Sequence, residues 1–323
     1  MISRVAESCF WLQRYVERAE STARLLRTTT LGSDGEMPMA QRWQSILTVT
    51  GEYPTFVEHV GADHVDDRER VLEYLTWDAA CPVSIWSSWA MARENARGIR
   101  EAISAELWDV CNRTWLWLQK DGRELYAEDP TEFYQRVREA GQLFRGAVLG
   151  TMLDDEPRWF MDLGLHLERV GQIARILDVK YHMIGPTSRD KNEDVQTMAT
   201  WVQLLLACGA YEHFFRQRNS TVRGYRVVDV LVFSRSSPRS ILYGLLEMER
   251  TLDMVVGLVP GRQCESSRRL HALRRWLQSQ EDGRMVENGV HAGLTRLVEG
   301  VAGIGQSLYE DFFSPPSQVM VQA

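Results

Sequence analysis

The stretch Ser3-Arg4-Val5-Ala6-Glu7-Ser8-Cys9-Phe10-Trp11-Leu12-Gln13-Arg14-Tyr15-Val16-Glu17-Arg18-Ala19-Glu20-Ser21-Thr22-Ala23-Arg24-Leu25-Leu26 decides the fold class. At helical spacing Val5, Cys9, Leu12, Val16, Ala19, Ala23 and Leu26 fall three and four residues apart and make one unbroken apolar seam, a face that has to be buried. Charge borders it. Glu17, Glu20 and Arg24 lie on one flank, and Arg4, Glu7, Trp11, Arg14 and Arg18 on the other, all within reach of the seam's edge.

The arrangement returns at Glu168-Arg169, a shift of 151 from residue 17 to residue 168. There Phe160, Leu163, Leu167, Val170, Ala174 and Leu177 repeat the seam, and Arg175 stands where Arg24 stood. Pro82-Val83-Ser84-Ile85 and Pro238-Arg239-Ser240-Ile241, a shift of 156 from residue 82 to residue 238, each open a helical pattern. Ile85, Trp89, Ala92, Ala96 and Ile99 answer to Ile241, Leu245, Met248, Leu252 and Val255, and Arg93-Glu94 answers to Glu249-Arg250 in reverse order. These features agree in register and predict an all-α, multi-helix bundle with an internal pseudo-two-fold repeat: a first helical half over 1–152 and a second over 153–323, packed as one unit.

With 323 residues the chain can bury a sizeable core, and its 44% hydrophobic and 25% charged residues are ordinary for a globular protein. The net charge of −7 argues against a general nucleic-acid binder, although local arginines can still hold a phosphate or carboxylate. Lys120, Lys180 and Lys191 are the only lysines, so the basic residues are nearly all arginine, the side chain that bonds such anions bidentately. Five scattered cysteines without a Cys-x-x-Cys pair read as free thiols of a reducing compartment. No apolar run is long enough to span a membrane and no leader pattern opens the chain, so a cytoplasmic location is expected.

Helices are expected over 3–30, 39–50 and 55–60, with another led by Asp66-Asp67-Arg68-Glu69-Arg70. Pro82 is placed in the first turn of a helix running to Ile103 and on toward Leu118. Thr131 is expected to cap a helix reaching Met152. The second half follows with helices over 156–182, 195–210 and 211–217, and with Arg226 to Phe233, a β-branched run read as helix because no partner strand exists. The pattern closes with 238–259, 266–280 and 285–313, then a loose tail over 314–323.

No motif names a reaction: the phosphate-binding glycine loops, His-Glu-x-x-His and Gly-x-Ser-x-Gly are all missing. The seven histidines never pair at ligand spacing, and no Glu-x-x-His recurs in the two halves, so neither a metal nor any other cofactor is implied. What remains is the charged border, Arg4, Glu7, Arg14, Glu17, Arg18, Arg93, Glu94, Asn95, Arg97, Glu168, Arg169 and Arg239. If equivalent helices of the two halves pack together, these groups converge, either as a ligand-binding face or as interhelical ion pairs that fix packing. Glu20-Arg24 reads as a local bridge.

The segments Ser3-Arg4-x-Ala6-Glu7-Ser8-x-Phe10-Trp11-Leu12-x-Arg14-Tyr15-x-Glu17-Arg18-Ala19-Glu20-x-Thr22-Ala23-Arg24, Ala92-Arg93-Glu94-Asn95-Ala96-Arg97 and Pro238-Arg239-Ser240 together resemble the Alpha-E family, helical bacterial proteins named for a Glu-Arg motif. The chain departs from that pattern at Gln13, where Gly is usual, and at Cys81 and 234–237 before the two Pro-x-Ser starts. Family members are commonly encoded beside, or fused to, a circularly permuted ATP-grasp protein and near a transglutaminase-like one. ATP-grasp chemistry activates a carboxylate as an acyl-phosphate and joins it to an amine. The resemblance therefore implies an accessory partner of an amide- or peptide-forming ligase, binding that ATP-grasp protein and a peptide or amino-acid-derived ligand through the Arg/Glu face. A rival expectation is an enzyme acting on an acyl or peptide substrate with Glu17 and Glu168 as acid-base groups, and a third is a structural oligomerisation module.

Overall fold

The computed structural model describes residues 3–32, 39–184, 194–216, 221–258, 263–281, 284–287 and 289–314, and within them every regular element is helical. The order begins with α1 (Ser3–Leu31), α2 (Met39–Thr50), α3 (Tyr53–His59), α4 (Arg68–Trp77), α5 (Ile85–Gly98), α6 (Ala105–Lys120), α7 (Gly122–Glu128) and α8 (Pro130–Thr151). It continues with α9 (Glu156–Ile184), α10 (Val195–Cys208), α11 (Tyr211–Arg216), α12 (Gly224–Val228), α13 (Ile241–Gly257), α14 (Glu265–Ser279), α15 (Arg284–Glu287) and α16 (Val290–Leu308). Turns of π-helix extend α12 over Asp229–Phe233 and α16 over Tyr309–Phe313.

The two 29-residue helices α1 and α9 lie against each other at the centre, with α5 and α8 packed on α1, and α13 and α16 on α9. Of the predicted α1 seam, Cys9, Leu12, Val16, Ala19, Ala23 and Leu26 are fully buried, while Val5 is half-buried near the helix start. Because neighbours cover α1 on several sides, burial spreads past the seam to Gln13, Glu17, Glu20 and Arg24. The core is continuous from Ala6 to Phe313 and draws on residues from both predicted halves.

Glycine permits the closest approaches. A Cβ at Gly164 of α9 would sit 2.2 Å from the Phe10 carbonyl oxygen, and one at Gly244 of α13 would sit 2.3 Å from Val170 Cγ2. The starts of α1 and α9 meet under the last turn of the described chain, where Phe10 and Phe160 pack on Phe313 with ring centroids 5.3 and 5.6 Å away. The Ser3 hydroxyl is shared between the carbonyls of Phe312 (2.9 Å) and Phe313 (3.0 Å).

The two Pro-x-Ser-Ile segments do open helices, but through serine. Ser84 Oγ accepts the Ser87 amide at 3.0 Å and Ser240 Oγ that of Tyr243 at 3.1 Å, each capping its helix. Each hydroxyl also donates to a carbonyl six residues upstream, Asp78 for Ser84 and Ser234 for Ser240. Pro82 and Pro238 stand before these caps and outside the first turn, which corrects their expected placement. The long helix expected beyond Ile103 is broken, because Ser104 caps a separate α6. Asp129, not Thr131, caps α8, accepting the amides of Thr131 and Glu132. Arg226 to Phe233 is helical as expected, and the predicted tail beyond Ser314 falls outside the described residues.

Candidate functional site

Two ionic clusters sit on opposite flanks of the α1–α9 contact. In the first, Arg169 grips Glu17 with a two-pronged bond, Nε to Oε1 and Nη2 to Oε2, both 2.8 Å. Arg239, beside the Ser240 cap, donates to Glu17 (2.9 Å) and to Glu20 (2.8 Å). Arg145 of α8 also spans both carboxylates, 3.5 Å from Glu17 and 2.8 Å from Glu20, and Arg24 completes the set on Glu20. Both carboxylate side chains are 1% exposed. The Glu20–Arg24 pair is therefore part of a buried network and not the local surface bridge its spacing suggested.

In the second cluster, Arg14 and Arg18 close on Glu168. Arg14 donates Nε (3.0 Å) and Nη2 (2.9 Å) to Oε2, and Arg18 donates Nε to Oε1 (2.8 Å) and Nη2 to Oε2 (3.0 Å). Arg175 approaches from one side, its Nε spent on the Val49 carbonyl at 3.1 Å. The two Glu-Arg dipeptides thus exchange partners, Glu17 with Arg169 and Arg18 with Glu168.

Burial by itself would raise the Glu17 carboxyl; the Arg169 and Arg239 guanidiniums overcome it and hold the group well below the usual carboxylate range. The same balance, with Arg18 and Arg14 as the cations, holds Glu168 down. A carboxylate that stays ionised and spends its oxygens on guanidiniums has no proton to give and little basicity, so neither glutamate suits acid-base catalysis. These two groups also do not share a cavity. Glu168 borders one of about 520 Å³ with Arg14, Arg18, Arg175, Gln172 and Trp11, roofed by Val298, Val301 and Ala302 of α16, whereas Glu17 is sealed beneath Arg169 and Arg239. Arg14 lies over the Trp11 ring, 4.3 Å from its centroid, so its position is fixed by stacking as well as by charge.

The remaining expected site residues lie elsewhere. Arg93, Glu94, Asn95 and Arg97 form a group on the outer face of α5: Arg93 bonds Asn112 and Glu94, Arg97 bonds Glu94 at 2.6 Å, and Asn95 turns back to the Met91 carbonyl. Arg97 is 64% exposed, and none of the four reaches the central carboxylates. Arg4 is exposed and Glu7 half-buried near the start of α1, and neither makes an ion pair with either cluster among the described residues.

The profile of the Alpha-E family, described as a predicted alpha-helical domain with a conserved ER motif, matches residues 1–313. The chain belongs to the Alpha-E family. This Alpha-E chain is 22% identical over 328 residues to an uncharacterised protein of Mycobacterium tuberculosis (strain ATCC 25618 / H37Rv), covering 94% of the chain and 35% of that protein. It is 23% identical over 322 residues to an uncharacterised protein of Mycobacterium bovis (strain ATCC BAA-935 / AF2122/97), with the same two coverages. The Alpha-E chain thus spans about a third of the length of these curated relatives. No solved structure matches it.

Arg145, which bridges Glu17 and Glu20 in this Alpha-E chain, was not among the residues singled out from sequence. Its signal was faint: Arg138 and Arg145 stand two helical turns apart on an α8 face otherwise made of Val137, Gly141, Phe144 and Val148. Among the described residues no three His, Cys, Asp or Glu side chains group to hold a metal, and no helix is long and apolar enough to cross a membrane. The five cysteines are buried.

Proposed function

We propose that this Alpha-E chain is an accessory partner of an ATP-grasp amide- or peptide-forming ligase, and that it receives the carboxylate end of an acyl, amino-acid or peptide ligand in the cavity beside Glu168. The observation that carries the reading is the excess of positive charge at that cavity: Arg14, Arg18 and Arg175 stand around one carboxylate. A cavity of about 520 Å³ with a cationic floor and the apolar Val298, Val301 and Ala302 opposite suits a ligand that is anionic at one end and carbon-rich at the other. Arg175 is the group left for the ligand, since Arg14 and Arg18 spend their Nε and Nη2 donors on Glu168 while Arg175 has no carboxylate within ion-pair distance among the described residues.

Two further observations support the reading. Roughly two thirds of each curated relative lies outside the matched region, room for a fused catalytic domain. The exchange of partners between the Glu-Arg dipeptides supports two halves related by a pseudo-two-fold, each half contributing one wall of the centre. The buried Glu17–Glu20 cluster serves the packing of α1 against α9 and α8.

The test pairs the chain with an ATP-grasp ligase encoded beside it. Co-purification and a change in ATP turnover on adding the chain are expected, and Arg175→Gln should weaken the response to an N-acyl amino acid while leaving the association intact. Absence of both association and any change in turnover would overturn the proposal.

A further inference from the structure

A different cavity, of about 360 Å³, opens where the end of α1 meets α8, α10 and α11. Arg24, Arg27 and Arg138 line it, with Thr28, Gln203 and Tyr211 between them. The Nε of each of the three arginines is buried without a hydrogen-bond partner. Arg24 is itself more than nine-tenths buried and gives only Nη2 to Glu20, a carboxylate already shared with Arg145 and Arg239. Arg138 gives Nη1 to the neutral Gln135, and Arg27 has no carboxylate partner among the described residues. Among the described residues the one acid on the lining, Glu212, is exposed.

Beside Glu168, Arg14 and Arg18 each give two donors to one buried carboxylate. Here Arg24 gives one donor to Glu20, and Arg27 and Arg138 bond no carboxylate among the described residues. Burial, and next the like charge of Arg239, bring Arg24 down to about 10; burial, and next Arg27, lower Arg138. Buried cations with unspent donors are costly unless a counter-ion meets them.

We infer that Arg24, Arg27 and Arg138 form a binding site for a phosphoryl group. Three guanidiniums present more N–H donors than the two oxygens of a carboxylate can accept, while a phosphate monoester offers three terminal oxygens and a charge of about −1.5 to −2 at neutral pH. The carboxyl end of α1 opposes an anion here by about half a charge, less than the three cations supply. The inference is independent of the ligase partnership, since it rests on side chains that take no part in the cavity beside Glu168.

Titration of the full chain with inorganic phosphate, followed by calorimetry and by thermal unfolding at constant ionic strength, tests it. Saturable binding and a raised melting temperature are expected. Arg27→Gln and Arg138→Gln should each weaken binding roughly tenfold or more, the loss of one charge-assisted contact. Without phosphate, both variants should melt no lower than the parent, because each removes a cation that bonds no carboxylate among the described residues. Glycerol phosphate, run in parallel, distinguishes a free anion from a phosphorylated metabolite by which binds more tightly. Acetate binding as tightly as phosphate, a response no larger than that to chloride, or equal responses in parent and variants would each overturn the inference.

Discussion

Glu17 lives inside the protein only because its partners came inside with it. Each of its oxygens accepts a hydrogen bond from Arg169 at 2.8 Å, and Arg239 adds one more. Glu17→Gln would leave two buried cations short of a counter-charge, so a loss of about 3–5 kcal/mol is expected in urea unfolding. Glu168→Gln should cost less, because its neighbours open onto a cavity where water can replace the lost charge. Both glutamates have folded-state affinities for protons below their ordinary ones, so the stability they supply is present above about pH 4.5 and is lost as pH falls further. Asp162 has the opposite sign. Burial raises it from 3.8 to about 6, so its contribution is fully present below 3.8 and is lost as pH rises through 6. Asp162→Asn should therefore stabilise the protein at pH 7 relative to the parent and flatten its stability profile between those two values. Comparing the two profiles removes the part due to buried His166, held down to about 3, which is common to both. That Glu17, Glu168, Arg18 and Arg169 mattered was legible in the sequence, since charge beside an apolar seam must be paired if buried. Which residues they meet was not, because partner choice depends on how far apart α1 and α9 lie.

That separation is set at the level of the helices by Gly164. Any larger residue there meets the Phe10 backbone, which has no rotamer to change. Gly164→Ala should push α1 and α9 apart, lower stability by about 1–3 kcal/mol or more, and lengthen the pairing at Glu168, visible as weakened protection of α1 amides in hydrogen exchange. The seam pattern predicted both long helices, yet it is blind to such a contact, since glycine carries no hydrophobic signal. Helix starts show a second limit. The Pro-x-Ser-Ile segments identified α5 and α13, but proline drew the assignment early, to Pro82 and Pro238 where the helices begin at Ile85 and Ile241, and serine does the capping. Ser84→Ala and Ser240→Ala should each cost about 0.5–2 kcal/mol, toward the upper part of that range because the Asp78 and Ser234 carbonyls lose their donor as well. Where a cap lies inside a continuous helical pattern, as Ser104 does, periodicity alone carries straight across it.

Across the whole molecule, α1 and α9 form a spine with charge locked on both flanks, and the net −7 of the chain conceals two central clusters in which Arg14, Arg18, Arg24, Arg145, Arg169 and Arg239 outnumber Glu17, Glu20 and Glu168. Composition could not reveal that division, which exists only once the fold sorts inside from outside. The spine is anchored at one end, where Ser3 bonds the Phe312 and Phe313 carbonyls and two central phenylalanines stack on the last turn. Removing residues 309–323 would uncover Phe10 and Phe160, and a truncated chain is expected to unfold at distinctly lower urea concentration than the parent. The same closure brings Ser3 and Ser314, the two ends of the described residues, to one pole. A circular permutant that joins Ser3 to Ser314 by a short tether and opens instead at an exposed turn such as Arg100-Glu101 has the geometry to keep the spine, and any module grafted before Ser3 or after Ser314 would leave from the same pole.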